Sequence, residues 1–176
     1  MLSNYTDDLL FSMERLSVQP FSLRRIGIDA DLPFTIAKDV VESVTKTTQS
    51  LDDLHKAGRL FIVDYSHLAE LERNEKFAAS CTAYFYIHPD NDDFLPLAIK
   101  TAPTEDGLIY TPADEPKDWL FAKMMFESND FWHTAWFHFA STHYVFEIAY
   151  MAAARTLSEE HPIRPILNRR ECRTAS

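Results

Sequence analysis

Residues Trp119–Arg155, WLFAKMMFESNDFWHTAWFHFASTHYVFEIAYMAAAR, lie within the longest stretch of the chain that is free of Pro and Gly. With neither of these punctuators to end it, the stretch reads as one long helix. It carries three histidines at equal spacing, His133, His138 and His143, set among Phe and Trp. Three imidazoles in apolar surroundings suggest a metal site. Regular helix geometry opposes that reading, because at about 100° per residue positions five apart diverge by roughly 140°. The rings face a common point only if the backbone widens locally into a π-type turn, a rare feature found mostly at functional sites. The alternative is a set of core histidines satisfied by hydrogen bonds, since buried polar rings need partners. Spacing and composition leave both readings open.

Composition narrows the class. A chain of 176 residues has a one-domain length, and it can bury roughly 70% of its unfolded surface. A hydrophobic content of 46% with 25% charged residues is ordinary for a globular protein. Only three glycines favour helices over a hairpin-rich sandwich. The net charge of −10 offers no basic stripe for phosphates, so no nucleic-acid partner is expected. Cys81 and Cys172 form no CxxC pair and read as free thiols in a reducing compartment. The amino terminus has no secretory-signal pattern, and no apolar run reaches the ~18 residues of a membrane span. A cytoplasmic location is the expectation.

Along the chain, Thr6 and Asp7 precede Leu9, Leu10, Met13 and Leu16 at helical spacing. Arg24 and Arg25 read as a solvated basic pair, with a carboxylate clamp as the alternative. Thr35 is the expected cap of a helix carrying Ile36, Val40, Val41 and Val44. Ser50 opens a second short helix that stops at Gly58. Arg59–Tyr65 reads as a buried strand, and Leu68–Glu75 as a short helix. Ala78–Pro89 and Phe94–Thr101 are β-leaning runs joined by the acidic turn 90–93, which lacks the Gly and distal Glu of a calcium loop. His88 is expected to be exposed, and His161, beside Pro162, to be a structural helix terminator.

The long helix also carries a family pattern. Trp119-Leu120-Phe121-Ala122-Lys123, then Asp130, His133-x4-His138, Thr142-His143 and Glu147 resemble the metal-ligand helix of the lipoxygenases. Thr134 stands where that family mostly has Gln or Glu, and Phe139 where Trp is common. Further landmarks occur in the family's order: Arg15-Leu16 with Pro20 and Arg25-Ile26, Gly58-Arg59-Leu60-Phe61 with Asp64-Tyr65, Pro96-Leu97-Ala98-Ile99-Lys100, and His161-Pro162-Ile163. The resemblance spans about residues 9–167, with a divergent tail over 168–176.

The resemblance implies a fold that is mainly α with a few short strands. Residues 1–176 would form a partial, amino-terminal piece of a helical catalytic domain built round one long apolar helix. It implies that His133 and His138 hold one non-haem iron, with Thr142, His143 and Glu147 supporting them and no catalytic group beyond the metal. The shorter His-x3-His spacing of manganese variants is absent, so iron is expected over manganese. Phe131, Trp132, Trp136 and Phe137 would form an apolar shell that limits side reactions. The implied reaction inserts O2 into a polyunsaturated fatty acid with a cis,cis-1,4-diene, giving a hydroperoxide. The family's metal is also held by a later helix with a His and a His or Asn four residues on, and by a terminal carboxylate, usually of Ile. No such pair follows His143, and the last residue is Ser176. The chain therefore reads as truncated, and it could be inactive alone. The alternative is a non-catalytic remnant that binds an apolar ligand or a protein partner through exposed apolar surface.

Overall fold

The central strands are near-continuous apolar runs, buried on both sides, so the sheet they form is covered on two faces. A computed structural model of the chain describes residues 6–17, 20–72 and 79–168. Five antiparallel strands lie in sequence order: β1 (Arg24–Arg25), β2 (Leu60–Asp64), β3 (Thr82–Ile87), β4 (Phe94–Lys100) and β5 (Ile109–Tyr110). Leu60, Ile62, Tyr84 and Tyr86 point to one face, where they meet α2 (Lys38–Thr45) and α3 (Leu51–Lys56) through Val41, Leu51 and Leu54. Val63, Ala83, Phe85 and Ile99 point to the other face. There they pack on Phe11 of α1 (Asp8–Ser17) and on Trp119, Ala122 and Phe126 of α4 (Pro116–His133). The β3–β4 register slips between Tyr84 and Phe85, which pair with Ala98 and Pro96. The bulge falls at Leu97, beside a proline that has no amide to give the ladder.

Local signals set most boundaries. Asp7 caps α1 by accepting the Leu10 amide at 3.0 Å. Ser50 and Asp53 exchange side-chain and backbone bonds in a capping box at the start of α3. Gly58 ends that region at φ +66°, a conformation that a Cβ disfavours. Thr35 is not the cap of α2. The helix begins at Lys38 after an extended Ala37, because the Tyr84 hydroxyl binds both backbone groups of Phe34 and holds that segment out of the helix. The segment expected as a helix over 68–75 is a 3-10 turn at Ser66–Glu70, and residues 73–75 lie outside the described residues. His88 is half-buried instead of exposed, with Nε2 2.8 Å from the Thr45 carbonyl.

The largest correction concerns the core. The backbone stays helical for 41 residues, from α4 through a π segment (Thr134–Tyr144) and α5 (Val145–Thr156). The domain is nevertheless not built round an apolar helix. Its core lies on the two faces of the sheet, and α5 buries no residue. The chain divides into two compact units, Met1–Trp132 and His133–Ser176. In the second, α6 (Arg164–Asn168) follows a turn at which Arg164 Nη1 donates to the Ala154 carbonyl.

Phe126 is fully buried against the rings of Phe11, Tyr65 and Phe85. Phe126→Ala should therefore cost about 3–5 kcal/mol by urea denaturation. Phe121→Ala, at an exposed position of the same helix, should stay within about 0.5 kcal/mol.

Candidate metal centre

The helix that leads to the histidines is held by polar side chains on one stripe. Trp119, Lys123, Glu127 and Asp130 recur every three or four residues, so they share a face of α4. Trp119 Nε1 and Lys123 Nζ both donate to Asp8 Oδ1, at 2.9 and 2.7 Å. The Lys123 ammonium is buried, so its charge depends on that carboxylate. Arg15 Nη2 lies 2.5 Å from Glu127 Oε1 and 3.4 Å from Asp130 Oδ2, and the Tyr65 hydroxyl donates to Asp130 Oδ1. Asn129 inserts beside β3, donating to the Ala79 carbonyl at 2.8 Å and accepting the Cys81 amide at 2.7 Å. Burial pushes the Cys81 thiol up to about 12 and, despite Arg15, the Glu127 carboxyl up to about 7. Buried among its neighbours, Tyr65 is also raised, with Asp130 adding to the shift.

At His133 the backbone changes type. From Thr134 to Tyr144 it is a π-helix, in which i→i+5 bonds bring residues five apart roughly into line one turn along. This is the widened backbone that the His133/His138/His143 spacing requires. His133 ends α4, half-buried, with its ring stacked on Phe137 at 4.5 Å. His138 lies within the π segment; its side chain is outside the described residues. His143 is exposed and stacks on Phe139 at 5.0 Å, so it is no core histidine. Thr142 and Glu147 are exposed. Phe131, Trp136 and Phe137 are also exposed, whereas Trp132 is half-buried against the sheet-side core.

Other polar groups resolve as structural. His55 Nε2 lies 2.7 Å from the Gly27 carbonyl, and His161 Nδ1 accepts the Ile163 amide. Asp92 of the acidic turn pairs with Arg59 at 2.9 Å. Arg24 and Arg25 are exposed and border a cavity of about 350 Å³. Asp31 and Asp64 share its wall and balance the two positive charges, so it holds no net attraction for a carboxylate.

The donor chemistry suits a transition metal in kind and falls short in number. Imidazole binds either iron or manganese, but among the described residues no three His, Cys, Asp or Glu side chains converge on a metal position. Motif reading missed Glu127 and Asn129 and gave Arg15 only as a landmark without a role, yet all three hold the helix leading to His133. The signal available was the three- and four-residue spacing of the polar positions on an otherwise apolar helix.

A five-stranded sheet with helices on both faces and a long helix that turns π beside spaced histidines are the features to set against known proteins. The lipoxygenase family model matches residues 28–174, and the chain belongs to the lipoxygenase family. It is 50% identical over 169 residues to a manganese lipoxygenase of Fusarium oxysporum, and 51% identical over 171 residues to one of Nakataea oryzae. These matches cover 95% and 96% of this chain but 27% of each relative, so the chain spans about a quarter of their length. A solved manganese lipoxygenase of Gaeumannomyces graminis superposes with a TM-score of 0.82 at 45% identity, covering 96% of this chain and 30% of that one. A calcium-dependent 11R-lipoxygenase superposes with a TM-score of 0.76 at 26% identity, covering 93% and 25%. The expectation of iron is overturned by these relatives, whose names specify manganese. His spacing could not decide the metal, because affinity for Mn or Fe depends on the whole ligand set and its geometry.

Asp8→Ala leaves the Lys123 ammonium without its carboxylate. Loss of about 3 kcal/mol is expected by denaturant titration, and Lys123→Met added to it should recover most of that loss.

Proposed function

We propose that this chain supplies part of a manganese-dependent lipoxygenase, an enzyme that adds O2 to a polyunsaturated fatty acid containing a cis,cis-1,4-diene and yields a hydroperoxide. The observation that carries this reading is the π segment that begins directly after His133. A widened backbone of this kind supports a reading in which His133 and His138 turn toward one ion. Manganese is favoured by the names of relatives at about half identity. Two imidazoles do not complete such a site, since an open non-haem centre typically takes three protein ligands.

In this reading residues 1–176 form one partial catalytic domain. The ion, when bound, supplies a one-electron acceptor for hydrogen removal from the doubly allylic carbon. The chain's own contribution is to hold His133 and His138, with Thr142, His143 and Glu147 around them. Phe131, Trp132, Trp136 and Phe137 provide apolar walls that exclude water from the substrate radical once they are covered.

A second reading is favoured by the exposed side chains Val145, Phe146, Ile148 and Ile166, together with a helix α5 that buries nothing. A patch of this kind suits an apolar ligand or a protein partner, and it requires no metal.

Metal analysis with oxygen uptake on linoleate separates the two readings. In a full-length lipoxygenase carrying this segment, near-stoichiometric manganese with lipid hydroperoxide formation, both lost in His133→Ala and His138→Ala, is the outcome expected of the first. Binding of an apolar dye with no metal and no oxygen uptake would leave only the second.

A further inference from the structure

Where β2 ends, a side chain of α4 takes over its place in the ladder. With Asp64 opposite Thr82, the register puts Tyr65 opposite Cys81, and in such a pair each amide ordinarily donates to the other's carbonyl. One of the two bonds forms, from the Tyr65 amide to the Cys81 carbonyl at 2.9 Å. The other does not. Tyr65 turns to ψ 19°, and its carbonyl accepts the Leu68 amide at 3.0 Å, opening the 3-10 turn. The Cys81 amide therefore loses its strand partner, and the Ala79 carbonyl, two residues back, points to the same side. Ser80 between them points the other way, donating to the Thr101 carbonyl at 3.1 Å.

Asn129 meets both groups. Its Oδ1 accepts the Cys81 amide at 2.7 Å and its Nδ2 donates to the Ala79 carbonyl at 2.8 Å. The carboxamide, 5% exposed, stands in for a strand peptide. The next residue, Asp130, accepts the Tyr65 hydroxyl, so the residue whose carbonyl leaves the ladder also holds the helix.

We infer that Asn129 is a positioning residue for His133, setting how far α4 advances along the sheet before the backbone changes type. The inference rests on the reading of His133 as a metal ligand. Both residues belong to α4, four positions apart, so His133 lies about 6 Å further along the same face. Packing of Trp119, Ala122 and Phe126 holds α4 against the sheet, but apolar contact is non-directional and does not fix an axial position. A carboxamide bonded at both ends does fix it. Sliding the helix by part of a turn breaks at least one bond and strands a backbone group of a buried residue.

The test is nuclear magnetic resonance of the full, isotopically labelled chain without metal, so its outcome is independent of whether the chain binds manganese or turns over substrate. The parent should show a coupling across the hydrogen bond from the Cys81 amide nitrogen to the Asn129 carboxamide carbon. Asn129→Leu keeps the approximate size and removes both bonds. In that variant the Cys81 amide should exchange about 10–100-fold faster, beyond any change at the Tyr84 and Tyr86 amides. The His133 ring signals should also move, while those of His55 and His88 stay in place. Phe126→Leu, which weakens the same helix through packing alone, should leave the His133 signals at their parent positions. Unmoved His133 signals in a folded Asn129→Leu variant would make Asn129 structural only and overturn the inference, as would equal movement in Phe126→Leu. A parent without the coupling would overturn it even if no variant folds.

Discussion

The constraint on which the proposed metal site depends is the change in backbone hydrogen bonding at Thr134. In a regular α-helix, side chains five apart point well away from each other. The i→i+5 bonding of Thr134–Tyr144 removes that obstacle for His133 and His138. Such a segment is rare because its geometry is less favourable than that of the α-helix. Stacked pairs lie along it, His133 on Phe137 and Phe139 on His143, and each such contact contributes on the order of 0.5–1.5 kcal/mol. The aromatic residues between the histidines therefore support the widened backbone as well as supplying apolar surface.

The two ends of the long helical run differ in character. Up to Trp132 it belongs to a unit with its own core, and polar bonds from Asp8, Arg15, Tyr65, Ala79 and Cys81 fix its rotation and its axial position. Such bonds are directional, so they specify placement more sharply than apolar packing does. Beyond His133 the run presents Phe, Val, Ile and Met to solvent, and among the described residues of that stretch none is buried.

Much of the fold was legible because it is local. The α1 cap at Asp7, the Ser50 capping box, the stop at Gly58 and the strands around 60–64, 82–87 and 94–100 each follow from residues adjacent in sequence. The long helix was legible from the absence of Pro and Gly, and the need for a π turn from the spacing of the histidines. What depends on distant residues was not legible. The Tyr84 hydroxyl delays α2 past Thr35 from fifty positions away, and Arg15 looks like a surface residue until Glu127 and Asp130 close on it. The sheet's role as the centre of the core was hidden because a long aromatic helix, read alone, looks like something to be wrapped. The metal was misread for a related reason: two imidazoles do not distinguish manganese from iron, whereas the full ligand set does.

The most direct measurement is nuclear magnetic resonance of the ring nitrogens in the isotopically labelled chain as Mn(II) is added below stoichiometry. A shared ion predicts that the His133 and His138 imidazole signals broaden together, while those of His55 and His88, held by the Gly27 and Thr45 carbonyls, stay sharp. Broadening of one ring without the other, or of neither while surface carboxylates respond, would contradict convergence of the two rings on one metal.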